Sequence, residues 1–532
     1  TITGGEIECT GKMDADGELA MSGGILDVNG ELELASTSSG TKSNGTIYLA
    51  GDFDAAATDG TTDFSPSGGH SFILDGSSQT ITISSTNPTY FNDLTSSASG
   101  TVTMSNNNLD INGDFVVSSG TFDMSGSNLT MDLDGNFTLS GGTFNARTGT
   151  HTVGGNFTRS SGTLTASTGT FTFDGSGAQS ITSGGSIFYN LTNSNTSNTV
   201  SIADKLEINS SGTLTIDGSA TLALAGFEFD DNGCTITNSG TFQINGDETF
   251  TSGSLSIPGN TKIVDGSGAT LSTGLSGLVN VEFNSSGQTF TLSENMNFIT
   301  GNVTIASGTT LDVSGSNYGI TADNLTINGT FTPQSGTLTL DGGTISGSAT
   351  NAFNNVELNG SVNFGTSSTV NGSLTINSGA SVNTNAPKYG GSSTLIYKTG
   401  GNYGRGTEWS STTAGQAGYP QNVQISSDGG SHTSLDLGNA APGVARKIAG
   451  NLTIDANNGL YMDYSSNDMT QSLTVEGNVL INGTLSLSES SGGDLDIKGN
   501  FELGGSGTFN HRNRAVTFSG TSAQTITSSG QE

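Results

Sequence analysis

The sequence predicts an all-β protein folded as a right-handed parallel β-helix, or β-solenoid, with three short strands per coil of about 20–22 residues. The first observation is a repeat: GNFTLSGGTFNARTGTHTVG, from residue 135, matches the next line, GNFTRSSGTLTASTGTFTFD, at 12 of 20 positions. The second is composition, with 80 glycines, 7 prolines and 31% hydrophobic residues. The third is that the apolar residues alternate with Thr, Ser and Asn in short, evenly spaced runs, which disordered chains lack.

Each repeated line predicts three strands, GNFTL, GTFNA and THTV, separated by Gly/Ser turns. Phe137 and Leu139 share one face of the first strand because successive side chains alternate. Stacked coils place Phe137 on Phe157, so these positions form an interior ladder, and they place His151 on Phe171, so His151 is expected at a strand position. At this period the chain holds about 24 coils, and the crossover preference of parallel strands favours a right-handed sense. A string of antiparallel β-sandwiches is the rival, but it requires module boundaries that the sequence does not show.

A longer repeat overlies the coils. FILDGSSQTI at 72, FTFDGSGAQSI at 171 and VTFSGTSAQTI at 516 share a strand, a Gly/Ser turn and a Gln-x-Ile strand. YFNDL at 90 and FYNL at 188 follow the first two copies. The third copy stops where the aromatic segment is due, so we expect the polypeptide to continue beyond residue 532. The chain starts without Met or a signal peptide, so we also expect it to be processed or part of a longer protein.

The organisation along the chain is predicted as solenoid repeats over 1–386, solenoid with an irregular loop insertion over 387–447, and repeats again over 448–532. The insertion concentrates unusual residues, and long loops on a regular scaffold often carry function. Its distinctive side chains are the aromatics Tyr397, Tyr403, Trp409 and Tyr419 and the bases Lys388, Lys398, Arg405, Arg446 and Lys447. The aromatics are expected to plug the loop onto the solenoid; the alternative is a platform that binds sugars.

Five segments of the chain carry a family resemblance: STLIYKTGGNYGRGTEW, GYPQNVQI, AGNLTID, VEGNVLINGTLSLSESSGGDLDIKGNFELGGSGTFN and RAVTFSGTSAQTI. Together they resemble the repeat regions of giant surface proteins of Bacteroidetes-type bacteria. These proteins are typically secreted by the type IX system and form β-helical stalks or adhesins. The resemblance covers 390–532 closely and 1–390 diffusely. It implies an extracellular or cell-surface structural protein. A signal peptide and a C-terminal sorting domain, which the family carries, do not stand in this sequence.

Charge and apolar content exclude several classes of partner. Formal net charge is −33, from 47 acids and 14 bases, which leaves no basic stripe for nucleic acid. No apolar run is long enough for a membrane helix, so we expect a chain that does not span a membrane. Cys9 and Cys234 lie about ten coils apart, which is too far for a disulfide.

No catalytic, cofactor-binding or metal-binding residues are assigned, and the chain is not expected to be an enzyme. A polysaccharide-active β-helix needs acids and bases clustered in one groove. The four histidines are instead dispersed by 79 residues or more, at His70, His151, His432 and His511. No zinc spacing, nucleophile elbow or phosphate loop stands out among the many glycines.

Two polar patterns each leave an alternative open. Acid pairs two residues apart project from one strand face, which predicts a solvated outer face, with calcium as the alternative ligand. These pairs are Asp14/Asp16, Asp52/Asp54, Asp132/Asp134 and Asp494/Asp496. Asn-x-Ser/Thr triplets predict asparagine ladders along the coil, with glycosylation as the alternative. They start at Asn136, Asn156, Asn190, Asn324, Asn328, Asn451 and Asn482.

The function predicted is a structural extracellular β-solenoid rod that forms a cell-surface stalk, fibre or filament. The alternative is an adhesin or glycan-binding surface module that uses the 387–447 insertion. A polysaccharide-active enzyme is the third reading. The expected partner is the protein itself, through further repeats or subunits stacked head to tail, because open strand edges invite pairing. Surface glycans are the second class of partner.

Overall fold

The computed structural model is all-β and consists of parallel strands stacked into about 23 turns of β-solenoid. It describes residues 1–34, 40–55, 64–83, 89–125, 128–250, 255–264, 275–297 and 299–529. The predicted fold class is confirmed, and the right-handed sense of the coil stays a prediction. The chain divides into two compact units, residues 1–262 with 274–277 and residues 263–273 with 278–532. The organisation predicted as 1–386, 387–447 and 448–532 stays a prediction.

Within its described residues, unit 1 has three large sheets and a separate pair of two-residue strands, and the strand pairings in them are parallel. Sheet 1 contains Glu6–Cys9, Met21–Val28, Lys42–Leu49, Gly69–Leu74, Asp93–Ser96, Phe115–Val117, Phe137–Leu139, Phe157–Arg159, Gln179–Thr182, Thr199–Ile202, Thr221–Ala223 and Thr241–Ile244. Sheet 2 contains Met13–Ala15, Leu32–Leu34, Phe53–Ala55, Gln79–Ile83, Thr101–Met104, Thr121–Asp123, Thr143–Asn145 and Thr163–Thr165. Sheet 3 contains Leu109–Ile111, Met131–Leu133, Thr150–Val153, Thr170–Phe173, Ile187–Asn193, Leu206–Ile216, Phe229–Asp230 and Thr235–Asn238. Leu255–Ser256 pairs with Leu275–Ser276, and the further strand Asn260–Ile263 has its last residue in unit 2.

Unit 2 is likewise built from parallel strands, which form six sheets of different sizes among its described residues. Sheet 4 contains Asn280–Phe283, Asn302–Ile305, Asn324–Ile327, Gly343–Ser346, Ser361–Asn363 and Ser381–Val382, and sheet 5 contains Thr289–Thr291, Thr310–Asp312 and Thr330–Thr332. Sheet 6 contains Ile320–Ala322, Thr337–Leu340, Asn355–Leu358, Ser373–Asn377, Thr394–Lys398, Asn422–Ile425, Leu452–Ile454, Val479–Ile481, Phe501–Leu503 and Ile526–Ser528. Sheet 7 contains Asn351–Phe353, Ser368–Val370 and Lys388–Tyr389, and sheet 8 contains Asn402–Gly404, Ser434–Asp436, Gly459–Tyr461, Thr484–Ser486 and Thr508–Asn510. Sheet 9 contains Arg446–Ile448, Leu473–Val475, Leu495–Ile497 and Val516–Phe518, and a 3₁₀ turn covers Thr407–Trp409.

The interior of each coil is a set of apolar ladders, as the alternation of the repeats predicts. Phe115, Phe137 and Phe157 stand in register on successive strands of sheet 1 and are fully buried. The rings of Phe137 and Phe157 stack with centroids 5.1 Å apart. His151 lies in register with Phe171 in a strand, as predicted, and its side chain is buried in the interior. Burial of such side chains is the main stabilising contribution in each coil.

The glycine that starts the Gly-Asn-apolar line is required by the close approach of neighbouring coils. A Cβ placed on Gly155 would lie 2.5 Å from the carbonyl oxygen of Gly135 in the coil before. The same holds in unit 2, where a Cβ on Gly499 would lie 2.5 Å from the carbonyl of Gly477. Only glycine fits where backbone packs this closely on backbone.

Candidate functional site

The irregular segment 387–447 folds around the buried Trp409, which belongs to the 3₁₀ turn that follows strand Asn402–Gly404. The indole is fully buried, and its Nε1 donates a hydrogen bond of 3.0 Å to the carbonyl of Lys447. A buried indole N–H normally needs such a partner. The bond ties the turn to a strand of sheet 9 that lies almost forty residues further along the chain.

Glu408 is the polar centre of this segment. Its Oε1 accepts hydrogen bonds from the Gly406 amide at 2.8 Å and from the Tyr397 hydroxyl at 3.1 Å. Its backbone carbonyl accepts the Tyr389 hydroxyl at 2.8 Å. Burial raises the pKa of Glu408, although these donors act in the opposite direction. The carboxylate therefore organises the loop from inside and is not exposed to a ligand.

Arg405 joins the turn to the next coil through backbone carbonyls. Its guanidinium donates to the carbonyls of Leu437 at 3.2 Å and Asn439 at 2.7 Å, both on the following coil. It also donates to the carbonyls of Gly406 at 2.5 Å and Trp409 at 3.2 Å. The planar, five-donor group suits this role because it satisfies several acceptors at once.

The aromatics of the segment are packed inward, which confirms the plug interpretation. Tyr397 and Trp409 are fully buried, and Tyr419 is 7% exposed. The half-buried Tyr403 packs against Tyr397, with ring centroids 5.6 Å apart. Side chains in these positions present no aromatic face to a sugar, so the predicted alternative of an aromatic platform finds no support here.

The basic cluster that the sequence suggested in this segment does not form a surface patch. Arg405 and Arg446 are buried, and burial together with the charge of Arg405 lowers the pKa of Arg446 to about 10. Lys447 pairs with Glu476 at 2.6 Å, and Lys498 pairs with the same carboxylate at 2.7 Å. The two lysines lower the pKa of Glu476 through these hydrogen bonds.

The acid pairs lie on the outer faces of their strands, and at least one carboxylate of three pairs bonds the next coil. Asp52 Oδ1 accepts the Thr80 amide at 2.7 Å, and Asp132 Oδ1 accepts the Thr152 hydroxyl at 2.5 Å. Asp494 Oδ1 accepts the Ala515 amide at 2.9 Å. Within the part of the chain that the structure describes, no three His, Cys, Asp or Glu side chains are grouped so as to hold a metal ion. These contacts favour the solvated outer face over calcium.

Asparagine side chains form ladders between successive coils, as predicted for Asn136, Asn156 and Asn451. Asn422, Asn478 and Asn500 extend the ladder, although they do not start Asn-x-Ser/Thr triplets. In sheet 6, the Oδ1 of Asn422 accepts the backbone N–H of Asn451 at 2.9 Å, and Asn451 accepts that of Asn478 at 2.8 Å. The series continues from Asn478 to Asn500 at 2.8 Å and from Asn500 to Thr525 at 2.9 Å. In unit 1, Asn136 accepts the amide of Asn156 at 2.9 Å, and Asn156 that of Ser180 at 2.7 Å.

A buried glutamine in the longer repeat was missed by sequence reasoning. Gln179 accepts the Gly175 amide at 3.0 Å, and its Nε2 donates to the carbonyls of Val153 and Gly155, both at 2.7 Å. Gln79 repeats the arrangement with Gly76, Leu49 and Gly51, and Gln524 repeats it with Gly520, Ile497 and Gly499. We call this arrangement the glutamine staple. Its signal is a Gln three or four residues after the glycine that begins the Gly/Ser turn.

The histidines do not converge. His70 and His151 are fully buried, and His432 and His511 are exposed. Burial lowers the pKa of His151 to about 4, and the Nε2 of its ring bonds the carbonyl of Ala146 at 2.8 Å. Burial also lowers the pKa of His70 to about 4, with a contribution from Lys42. Both rings are therefore neutral members of the interior at pH 7.

One open groove runs over the outer face of sheet 6, with a volume of about 420 Å³. Its lining includes the ladder residues Asn451, Asn478 and Asn500, with Leu480 and Glu502 beside them. Each coil thus contributes one amide side chain to the groove. The groove contains a single carboxylate and no base among these residues, so it does not provide an acid–base pair.

Comparison with known proteins assigns no family: no family model, no curated protein and no solved structure matches the chain. Among the described residues, none belongs to a helix long and apolar enough to cross a membrane. The function must therefore be argued from the ladders, the staples and the surfaces of the coils themselves.

Proposed function

We propose that the chain is a structural β-solenoid rod of an extracellular cell-surface stalk, fibre or filament. The observation that carries the proposal is the cohesion between coils. Asparagine ladders join successive coils by side-chain hydrogen bonds, and glutamine staples add further bonds at Gln79, Gln179 and Gln524, in addition to the parallel backbone pairing. A binding scaffold needs only a stable core, whereas a load-bearing element benefits from bonds directed along the stacking direction.

Location and partners belong to the same proposal. The resemblance to giant surface proteins supports an extracellular site, and a net charge of −33 favours solubility and mutual repulsion between neighbouring solenoids. The natural partner of an open coil edge is another coil, because the parallel strands of both can pair. We therefore propose self-association through further repeats or subunits stacked end to end.

We propose that the chain is not an enzyme. Supporting this, two of the four histidines are buried and uncharged, and the buried Glu408 and Arg405 are bonded to the backbone of their own segment. A general acid or base must reach the proton that it transfers, and these groups face the interior.

Electron microscopy of the purified chain and of native material tests the structural proposal. We expect elongated particles, and in native material uniform fibres with an axial repeat of about 4.8 Å, the spacing of stacked strands. Limited proteolysis should leave the coils intact because their backbone amides are paired. Compact particles that never associate, together with rapid cleavage throughout the coils, would contradict the proposal.

A glycan-binding surface is the second candidate, and the groove over sheet 6 is the observation that favours it. The groove offers repeated amide groups from Asn451, Asn478 and Asn500, which are suitable partners for sugar hydroxyls. A glycan array with the full chain and with Leu480→Arg tests this candidate. Binding that the variant abolishes would support it, and an array without any bound glycan would remove it.

A further inference from the structure

The outer face of sheet 3 carries a regular array of threonines, and we propose that this array binds ice. The inference does not rest on the proposed structural role, since either can hold without the other. The array has two columns, with one residue of each column on every strand. The first column is Thr150, Thr170, Asn190, Thr213 and Thr235, and the second is Thr152, Thr172, Thr192, Thr215 and Thr237.

The array keeps its register over five strands. Thr172 pairs with Thr192, Thr192 with Thr215 and Thr215 with Thr237, without a gap. The residues between the two columns point inward, and Phe171, Leu191 and Leu214 are fully buried. The threonines therefore all project from the same outer face.

The geometry supplies two fixed spacings. Stacked strands place equivalent residues about 4.8 Å apart along a column, and two residues along a strand separate the columns by about 6.7 Å. Oxygen atoms on the prism faces of hexagonal ice repeat at distances close to both. Threonine is suited to hold such a pattern because its branched Cβ restricts χ1, and each residue offers a hydroxyl beside a methyl group.

Two hydroxyls in the second column of the array are available to water. Other hydroxyls bond protein atoms: Thr152 donates to Asp132 at 2.5 Å, Thr213 donates to Asn190 at 3.0 Å, and Thr170 accepts from the Asn190 amide at 3.3 Å. For Thr172 and Thr192, by contrast, no hydrogen bond of the hydroxyl to another described residue is recorded. Water molecules that bond these hydroxyls would take up the spacing of the array.

Charge identifies the kind of surface that fits. The ten array positions are all uncharged, in a chain with a net charge of −33. The carboxylates Asp132, Asp174 and Asp217 lie only at its borders. A cation or a basic partner would be drawn to those carboxylates, whereas the array itself complements a neutral, periodic solid. Ice combines neutrality with the required spacing.

The other faces of unit 1 show that a solenoid does not require such an array. In sheet 2, one outer column reads Thr101, Thr121, Thr143 and Thr163, and the other reads Thr103, Asp123, Asn145 and Thr165. That face stacks with the same regularity, but its second column contains the charged Asp123, which forms an ion pair with Arg147. Thr143 on this sheet is half-buried and outward-facing, so it provides a matched control position.

The test uses the full chain in a nanolitre osmometer, with thermal hysteresis and the shape of a single ice crystal as readouts. Thr192→Tyr introduces a bulky ring at the centre of the array, and Thr143→Tyr introduces the same ring on sheet 2. We expect hysteresis and faceted crystals with the natural chain, loss of most of the hysteresis with Thr192→Tyr, and no loss with Thr143→Tyr. Circular dichroism confirms that each variant folds.

A shape-preserving pair of changes covers the case in which the tyrosine variant misfolds. Thr172→Val and Thr192→Val together keep the branched side chains but remove two hydroxyls, and we expect them to reduce hysteresis. Fluorescently labelled natural chain should also enter a growing ice hemisphere. The proposal is overturned if the natural chain neither shapes nor enters ice, or if Thr143→Tyr is as damaging as Thr192→Tyr. Variant-sensitive binding to crystalline cellulose without any effect on ice would overturn it equally.

Discussion

Replacing the staple residue Gln179 by leucine should destabilise the contact between one coil and the next without creating a large cavity in the core. Gln179 is 3% exposed and takes part in four hydrogen bonds. Leucine has nearly the same volume, so the change removes the polar atoms and leaves little cavity. The Gly175 amide and the Gly155 carbonyl lose the partner that the staple provides, whereas Val153 keeps a long bond of 3.4 Å from the Asp174 amide.

The size of the effect follows from the groups left behind. A buried polar group without a partner costs about 1–3 kcal/mol, and two such groups remain. The extra apolar surface of leucine offsets about 1 kcal/mol of this cost. We therefore expect a loss of about 3 kcal/mol in local stability, which corresponds to roughly a hundredfold change in an opening equilibrium.

Hydrogen exchange measured by mass spectrometry is the appropriate assay because a solenoid can open coil by coil and not only as a whole. Peptides that cover 150–182 should exchange roughly a hundredfold faster in Gln179→Leu, by the same conversion. Gln243→Leu is the control, since this half-buried, outward side chain lies in the same unit. Equal exchange in both variants, or unchanged exchange in Gln179→Leu, would refute the idea that the staple holds the coils together.

Three further outcomes follow from the described contacts. Because His151 is buried and its pKa is lowered from 6.5 to about 4, the unfolded chain binds the proton first, so up to about 3 kcal/mol of stability is lost as the pH falls from 6.5 toward 4. Urea denaturation at pH 7 and 5.5 should therefore show a smaller loss of unfolding free energy in His151→Phe than in the natural chain. An equal loss in both proteins would contradict this expectation. Trp409→Ala should cost about 4 kcal/mol in the same denaturation assay, since it removes a fully buried ring, and the neighbouring exposed Ser410→Ala should cost far less. Calorimetric titration with calcium should give no binding heat, and chelation should not shift the melting temperature, because oxygens of Asp494 and Asp496 already accept hydrogen bonds from the following coil; a saturable heat would restore the calcium alternative.

The interior of the coils was predictable because its signal is periodic. The spacing of Phe137 and Phe157 predicted the ladder, and the alignment of His151 with Phe171 predicted a strand position for this histidine, which the structure confirms. The asparagine ladders were predictable for the same reason: Asn136 and Asn156 start equivalent strands. A feature that recurs once in every coil can be predicted from the spacing of the sequence repeats alone.

The features that sequence reasoning missed depend on contacts that do not recur in every coil. Gln179 lies in a strand that otherwise alternates apolar and polar residues, and only the carbonyls of the preceding coil show why it is buried. The packing of Trp409 depends on Lys447, and that of Arg405 on Leu437, each more than thirty residues away. Composition favoured the plug there but left the platform open as the alternative. The division near residue 262 has no counterpart in the repeat pattern that we recognised.

The rarity of the staple suggests what it adds to a chain of nearly uniform coils. Alternating apolar and threonine residues stabilise parallel stacking but resemble each other from one coil to the next, so a slip by a whole coil would cost little apolar contact. The ladder of Asn136 and Asn156 restricts which coils can stack on each other, because each side-chain oxygen needs a backbone amide at one position of the neighbouring strand. Gln179 restricts the alignment of neighbouring coils further. Its two donated bonds require the carbonyls of Val153 and Gly155 within reach, and its side-chain oxygen requires the amide of Gly175. A polar side chain that is satisfied in only one alignment penalises every other one, so the staple fixes which coil follows which.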